Sequence, residues 1–182
     1  MSPARTATSP GVHLVRQQPQ RCSATRPVSD DSFRAAMTQV ATAVSVVTTV
    51  HSATPYGTTV SAFLSLSMHP PMLLVSLDGG SKLLAALEPG SPLGVNVLAA
   101  GQGAQARHFA TKNKDKFAGI EWQLSSGAPR LPDLHVWIAG RVARIIPAGD
   151  HKLVFVDVGA SEPVQGSPLT YWRGGFGAHA AS

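Results

Sequence analysis

Apolar and polar positions change their period along the chain, and the change separates one helix from a series of strands. Between residues 33 and 44 the apolar side chains recur at the 3.6-residue spacing of an amphipathic helix: Phe33, Met37, Val40 and Val44. Three residues just before this segment offer side-chain oxygens that can cap a helix N-terminus: Asp30, Asp31 and Ser32. We therefore predict that one amphipathic helix opens the folded part of the chain.

Strands dominate the rest of the predicted structure. A turn at Pro55-Tyr56-Gly57 separates the first two strand segments, Gly140 marks an irregularity in a long later one, and two short helices cover 81–88 and 105–110. The predicted strands are residues 44–51, 58–67, 72–77, 93–98, 134–146, 152–158 and 169–172. Many strands with tight turns and short helices predict a mainly β fold, as a closed or partly closed antiparallel barrel.

The composition fits one globular domain with a tail. The chain has 182 residues, of which 43% are hydrophobic and 14% charged. We predict a domain over residues 31–178, a disordered N-terminal tail over 1–30 and a short C-terminal tail over 179–182. The N-terminal segment has no apolar signal core, although transit peptides share its composition. Cys22 is the single cysteine, and its lack of an intramolecular partner favours a reducing, cytoplasmic location.

The positive charge is concentrated in the tail. Of the formal net charge of +5, residues 1–30 carry +3, and no basic run with interleaved aromatic residues occurs in the domain. No stretch approaches the roughly 20 apolar residues of a membrane-spanning helix. We therefore expect neither nucleic acid nor a membrane as a partner.

A glycine-rich segment after the predicted strand 93–98 resembles a dinucleotide-binding fingerprint. Residues 101–106 match G-x-G-x-x-A, and Glu121 follows at about the distance expected of a ribose-binding acid. That motif functions in a βαβ unit of a parallel sheet, whereas the segments that follow have the pattern of hairpins. We therefore interpret these glycines as a tight loop.

Common hydrolytic and metal-binding motifs do not occur in the sequence. There is no H-E-x-x-H segment, no cysteine pair and no G-x-S-x-G elbow. Carboxylates are few, and none form an obvious acid/base pair. The sequence therefore supports neither a metal site nor a hydrolase.

A series of short motifs occurs in a specific order. The series consists of G-T-T-V-S-A-F-x-S-x-S-x-x-P-P at 57–71, S-K at 81–82, G-V-N-V-L at 94–98, F-A at 109–110, K-F at 116–117, G-D-H at 149–151 and P-L-x-Y at 168–171. Together they resemble the short-chain flavin reductases that serve two-component flavin-dependent monooxygenases, over residues 31–177. The resemblance implies an FMN-binding split β-barrel with a Greek-key-like antiparallel sheet, assembled as a homodimer.

The resemblance also implies the residues of the site. Small residues on a strand let backbone N–H groups approach the acceptors of a flavin ring. Ser81 and Lys82 would hold the ribityl phosphate, and Phe109 would either line the flavin or belong to the core. The implied flavin-binding residues are Thr58, Thr59, Ser61, Ala62, Ser76, Leu77, Ser81, Lys82, Asn96, Ala99, Gln102, Gln105 and Phe109. The implied nucleotide-binding residues are His151, Tyr171, Arg173 and Gly174, whereas His51, His69, His108 and His135 are expected to be surface or core residues.

The implied activity is that of an NAD(P)H:flavin oxidoreductase. Such an enzyme reduces FMN or FAD with NADH or NADPH and releases the reduced flavin to a separate monooxygenase. Hydride transfer needs two stacked rings at roughly 3.5 Å rather than a protein nucleophile, so no catalytic side chain is expected. The alternative is a non-catalytic protein that stores or senses flavin in the same barrel.

Overall fold

The chain folds mainly into β structure with three short helices, as the strand pattern predicts. A computed structural model describes residues 27–112 and 115–179. None of the helices in these ranges is long and apolar enough to cross a membrane. The helices are α1 (Asp30–Met37), α2 (Lys82–Ala85) and α3 (Gly103–Ala110). The strands are β1 (Thr42–Ala43), β2 (Ser45–His51), β3 (Thr54–Val60), β4 (Phe63–Met68), β5 (Pro71–Asp78), β6 (Pro92–Val97), β7 (Gln123–Ser125), β8 (Ala128–Arg130), β9 (Val136–Ala148), β10 (His151–Pro163), β11 (Leu169–Trp172) and β12 (Gly175–Ala178).

One seven-stranded sheet forms the body of the fold. Its order is β3-β2-β6-β9-β10-β5-β4, and two small sheets, β1-β11-β12 and β7-β8, lie beside it. All strand pairs of the described residues are antiparallel. The glycine-rich loop at 101–106 therefore does not belong to a parallel βαβ unit. The two edge strands of the large sheet, β3 and β4, are consecutive in the chain and are joined by Ser61 and Ala62 alone.

Apolar side chains cover both faces of the sheet. Successive residues of a strand point to opposite faces, and β2 shows this directly: Val46 packs in one buried cluster and Val47 in the other. Phe109 of α3 and Trp137 of β9 belong to the cluster of Val46, and neither is exposed. Helix α3 is thus fixed against one face of the sheet.

The first hairpin turns earlier than the sequence predicts. Its turn is Ser52-Ala53, whose φ angles of 49° and 61° are unusual for residues with a Cβ, so no sequence signal marks it. Pro55 instead lies within β3, opposite Val50. A proline is tolerated there because β3 is an edge strand whose outer side needs no N–H donor.

Helix α1 does not bury its apolar face. Its N-cap is Ser29, whose hydroxyl accepts the Ser32 N–H at 3.3 Å, and none of its residues is buried. Phe33 is 59% exposed and Met37 48%. The prediction of a helix reaching Val44 is wrong, because the chain leaves the helix after Met37 and Val44 is buried beside β2. Of the predicted tail 1–30, residues 1–26, with Cys22, lie outside the described residues, and Asp30 is already the first residue of α1.

Other predicted strands and helices have boundaries that differ from the observed ones. The predicted strand 58–67 is interrupted at Ser61 and Ala62, and the helix expected over 81–88 is limited to the four residues of α2. Strands β1, β7, β8 and β12 had no predicted counterpart. The irregularity near Gly140 is confirmed: the register of β9 and β10 shifts between Val158 and Ala160, directly beside it. A Cβ on Gly140 would overlap the Asp157 carbonyl oxygen, so the position requires glycine.

Candidate functional site

An open cleft of about 220 Å³ lies where β3, β5 and the start of β10 come together. Eight residues that the sequence assigns to ligand binding line it: Thr58, Thr59, Ser61, Ala62, Ser76, Leu77, Ser81 and His151. Val60 and Asp78 complete the wall. Residues from four separate segments of the chain therefore meet in one concave surface.

Backbone forms much of the cleft wall at the junction of β3 and β4. Ser61 and Ala62 are exposed, and the Ala62 carbonyl accepts the Ser76 N–H at 2.9 Å, which holds the junction against β5. Within the described residues, neither Ser61 nor Ala62 donates its own N–H to a hydrogen bond. The Thr59 hydroxyl donates to the Ala106 carbonyl at 2.7 Å, so this side chain fixes β3 to α3. The cleft thus presents bare donor groups between small side chains.

A pair of interlocked turns brings His151 to the rim of the cleft. The Gly79 N–H donates to the Asp150 carbonyl at 2.9 Å, and His151 pairs with Asp78 across the two strands. A Cβ on Gly79 would come within 2.9 Å of the same Asp150 carbonyl oxygen, so only glycine allows this approach. Asp78 turns back to accept the Gly80 N–H at 2.7 Å. The predicted contact residue His151 is therefore placed by backbone contacts between distant turns.

His151 also contacts a carboxylate. Its Nδ1 lies 2.7 Å from Oδ1 of the exposed Asp150. This hydrogen bond and the charge of the ring lower the pKa of Asp150. Because Nδ1 is engaged by the carboxylate, Nε2 is the nitrogen left to meet a ligand in the cleft.

A second cavity of about 290 Å³ lies beside the cleft. It is lined by His51, Tyr56, Lys82, Ala85 and Ala86. The sequence pairs Lys82 with Ser81 in one anion site, whereas the structure places Ser81 in the cleft and Lys82 in the second cavity. Ser81 caps α2 through a hydrogen bond from the Leu84 N–H at 3.5 Å.

Lys116 brings another positive charge to this region. Its Nζ donates to the Phe109 carbonyl at 2.7 Å, and its own carbonyl oxygen lies 2.8 Å from Nε2 of His108. Burial and, to a smaller extent, the charge of Lys82 lower the pKa of Lys116. The positive charge of Lys82 thus disfavours the charged form of Lys116.

Five predicted flavin-binding residues line neither the cleft nor the second cavity. The Asn96 side chain is buried and fully bonded: its amide donates to Val46 and Pro129 carbonyls and its oxygen accepts the Leu131 N–H. The Gln102 side chain is bonded to the Ala99 N–H and the Pro132 carbonyl, which closes the loop before α3. Phe109 is a core residue packed against Gly57, and Gln105 lies half-buried on α3. The residues outside both spaces are thus Asn96, Ala99, Gln102, Gln105 and Phe109.

One of the four predicted nucleotide-binding residues lines the cleft, and the other three do not. His151 lies in the cleft, whereas Tyr171, Arg173 and Gly174 lie on the β11–β12 hairpin and do not line it. Arg173 and Gly174 form the turn of that hairpin with φ angles of 49° and 80°. Arg173 donates to the side-chain oxygen of Gln39 at 2.6 Å, which connects the hairpin to the segment after α1.

Sequence reasoning missed residues in both cavities. The alternation of β3 could have indicated Tyr56, since it lies two residues before Thr58 on the same face of the strand. Asp78 follows the predicted strand 72–77 by one residue. His51 was expected to be a surface or core residue, because its place in the second cavity depends on the first hairpin.

Comparisons with known proteins agree with the resemblance. A family model of the flavin reductase like domain matches residues 37–180. The reductase component of a 4-nitrophenol 4-monooxygenase/4-nitrocatechol 2-monooxygenase from Rhodococcus opacus is 32% identical over 161 residues, which cover 88% of this chain and 87% of that protein. A flavin reductase (NADH) from Kitasatospora aureofaciens is 38% identical and covers 80% of each chain.

Solved structures of other proteins are also similar to this chain. The nitrilotriacetate monooxygenase component B from Mycobacterium thermoresistibile superposes with a TM-score of 0.78 at 31% identity, covering 82% of this chain and 86% of the other. An NADH:FAD oxidoreductase of Streptomyces globisporus, solved with NAD and FAD fragments, has a TM-score of 0.76 at 29% identity, covering 86% and 98%. The ordered motifs, the antiparallel fold and these matches agree, and the chain belongs to the flavin reductase family.

Proposed function

We propose that this protein reduces flavin with NADH or NADPH and supplies the reduced flavin to a separate monooxygenase. One observation carries the proposal: the cleft of a chain in this family is lined by small residues and unpaired backbone donors, with His151 at its rim. Its relatives include reductase components of monooxygenases, which supports the same partner class here.

The donor set of the cleft fits a flavin ring. The acceptors at the pyrimidine end of such a ring call for N–H and O–H donors, and the cleft offers the free N–H groups of Ser61 and Ala62 and the hydroxyls of Thr58 and Ser76. None of these side chains is large enough to fill the space. When bound, the flavin supplies the hydride-accepting chemistry, and the chain supplies a wall that orients it.

We propose that His151 contacts the nicotinamide nucleotide. It lines the cleft with Nε2 available, whereas Tyr171, Arg173 and Gly174 stand on a separate hairpin. These three residues keep a role in nucleotide binding only if a second subunit or a long ligand reaches them. No protein acid or base is needed, because stacking of two rings brings the reacting atoms together.

We propose that Ser81 and Lys82 hold the ribityl phosphate. Ser81 lies at the end of the cleft that adjoins the second cavity, and Lys82 is the next residue. Charge-assisted contacts of this kind are stronger than neutral hydrogen bonds, but Lys82 is exposed and solvent weakens its attraction. The cleft is open, which suits a flavin that leaves after reduction.

We propose that the large sheet curls into a split barrel. A flat sheet of seven strands would separate its edges by roughly 29 Å at about 4.8 Å per strand. Only two residues join Val60 of β3 to Phe63 of β4, so these Cα atoms are at most about 11 Å apart. The two edges must therefore approach each other near the cleft. We assign this barrel to the predicted domain, residues 31–178.

We propose that the protein is a homodimer. On edge strand β4 the residues Leu64, Leu66 and Met68 are 50%, 41% and 69% exposed, so this edge of the sheet carries apolar side chains open to solvent. Sedimentation equilibrium tests the assembly. We expect a dimer that becomes a monomer in Leu66→Lys, and a monomeric parent protein would contradict the proposal.

Steady-state kinetics test the function. We expect the purified full chain to oxidise NADH or NADPH only in the presence of FMN, FAD or riboflavin. Absence of turnover with both nucleotides and all three flavins would overturn the enzyme proposal. Stoichiometric retention of flavin without nucleotide oxidation would instead support the storage or sensing alternative.

A further inference from the structure

The cleft and the second cavity share two walls. On the side of α2, Ser81 lines the cleft and its neighbour Lys82 lines the second cavity. On the side of β3, Thr58 lines the cleft and Tyr56 lines the second cavity. Tyr56 and Thr58 lie on one face of the strand, about 7 Å apart. A ligand longer than the cleft can therefore continue from one space into the other without leaving the protein surface.

The second cavity is a basic environment. Lys82 and His51 line it, and none of its lining residues is a carboxylate. Ion pairs in the described ranges join Arg130 to Glu162 and His151 to Asp150, so Lys82 is not paired with a carboxylate there. An ammonium group without a counter-ion gains free energy when an anion binds beside it.

The shape of the second cavity suits a flat base beside a phosphate. Tyr56 is half-buried against the core and gives an aromatic wall of fixed position, while the small side chains of Ala85 and Ala86 leave space beside the lysine. A volume of about 290 Å³ is close to the roughly 300 Å³ at which small-molecule pockets begin. An adenosine group with its phosphate meets both the apolar and the basic part of this lining.

We propose that the second cavity binds the ADP half of FAD, so that this reductase prefers FAD to FMN. The inference rests on the proposed function, because it takes the flavin ring to lie in the cleft. Nicotinamide dinucleotides also carry an ADP group. We assign the cavity to FAD because it adjoins Ser81, the proposed ribityl phosphate contact, whereas the proposed nicotinamide contact His151 lines the cleft alone.

Direct binding to the full chain is the first test. Quenching of flavin fluorescence measures the Kd for FAD, FMN and riboflavin without nucleotide or turnover. We expect FAD to bind at least about tenfold more tightly than FMN, and ADP to displace FAD but not riboflavin. Equal affinities for FAD and FMN would overturn the proposal, as would displacement of riboflavin by ADP.

A charge reversal in the cavity is the second test. Ala85 is exposed on α2, and Ala85→Glu puts a carboxylate beside Lys82 in a helix that tolerates glutamate. We expect the advantage of FAD over FMN to disappear in Ala85→Glu and to persist largely in Ala85→Gln, which has the same length without the charge. Ala143→Glu, the same change at an exposed residue outside both cavities, should keep the full advantage. Equal loss of FAD and FMN affinity in Ala85→Glu would contradict the assignment.

A further measurement distinguishes FAD from the nicotinamide nucleotide as the ligand whose ADP group binds in the second cavity. If Ala85→Glu raises the KM for NADH and leaves the Kd for FAD unchanged, the cavity belongs to the nicotinamide nucleotide and the assignment to FAD is wrong. Tyr56→Leu supplies a second variant, with the same expected loss confined to FAD. A protein that reduces riboflavin and FMN without favouring FAD overturns this inference alone, whereas a protein that reduces no flavin overturns the proposed function as well.

Discussion

Gly57 is the position where the packing of the core controls the wall of the cleft. It is buried on β3, and a Cβ there would lie 2.9 Å from one ring carbon of Phe109 and 3.2 Å from one of Phe117. Carbon atoms that are not bonded prefer separations of roughly 3.5–4.0 Å. Gly57→Ala therefore forces either the rings or the strand to move.

The rings have little freedom to move. Phe109 is completely buried, and it packs edge to face with Phe117 at a centroid distance of 5.2 Å. Overpacking of this kind costs about 1–3 kcal/mol. In a chain of this size, each kcal/mol lowers Tm by about 2–4 °C, so we expect Gly57→Ala to lower Tm by about 2–12 °C. Because the rings are held, strand β3 is expected to move and to shift Thr58 and Thr59 with it. We therefore expect flavin affinity to fall as well.

Thermal unfolding and flavin titration of the same variants check this reasoning. Gly159→Ala is the matched control, because a Cβ at that position meets no atom within 4 Å. Phe109→Leu makes room beside residue 57, so the double variant Gly57→Ala/Phe109→Leu should be more stable than the sum of the two single effects predicts. If Gly57→Ala keeps the Tm and flavin affinity of the parent, the strand is not held against α3 as the structure indicates.

Three further predictions concern the ligands. Lys82→Ala should raise the KM for FMN severalfold and leave riboflavin nearly unchanged, since a charge-assisted contact is worth about 1.5 kcal/mol and solvent weakens it at the exposed Lys82; equal effects on both flavins would contradict the phosphate assignment. His151→Ala should raise the KM for NADH severalfold in steady-state kinetics, and a loss confined to flavin affinity would contradict its role at the nucleotide. Because burial and Lys82 lower the pKa of Lys116 from its ordinary value of 10.5, its ammonium loses its proton at a lower pH than most lysines do. Titrations over alkaline pH should therefore show FMN affinity falling more steeply than riboflavin affinity as pH rises, and Lys116→Met should reduce that difference; identical slopes in the parent protein would contradict it.

The strands were predictable wherever residues of one type dominate a segment. The β-branched run of β2 and the apolar run of β5 gave their strands within one or two residues. Strands of two to four residues, such as β1 and β12, are too short to have a period. The turn at Ser52-Ala53 was missed because neither residue favours positive φ, and the hairpin is determined by the register of β2 and β3 instead.

Helix α1 shows the limit of periodicity as a signal. Its spacing is that of an amphipathic helix, and the helix forms, but its apolar face remains exposed in the single chain. Periodicity reports that a face is apolar and does not say what covers it. The same limit applies to β4, which was predicted as part of a strand and in which Leu64, Leu66 and Met68 are exposed.

The family resemblance implied most members of the cleft, and for one segment of its motif a local requirement explains why. A ligand that approaches backbone needs small residues at consecutive positions, and Thr58 to Ala62 show that requirement in the sequence itself. Asn96 lies in the motif G-V-N-V-L, but nothing in that motif requires its side chain to face a ligand. Its amide satisfies the carbonyls of Val46 and Pro129, and a buried polar side chain that completes its hydrogen bonds inside the core has none left for a ligand.

The connection between β3 and β4 explains why the proposed ligand site is there. Edge strands expose unpaired N–H groups, and proteins normally cover or charge such edges to prevent association. In this chain Ser61 and Ala62 join the two edge strands of the large sheet, β3 and β4. The N–H groups of these two residues are unpaired in the described residues, and their side chains are too small to cover those groups. A flat ligand with acceptors along one side satisfies those donors and covers the edge at once. The position of the cleft therefore follows from the sheet topology, and the small residues at the junction keep it open.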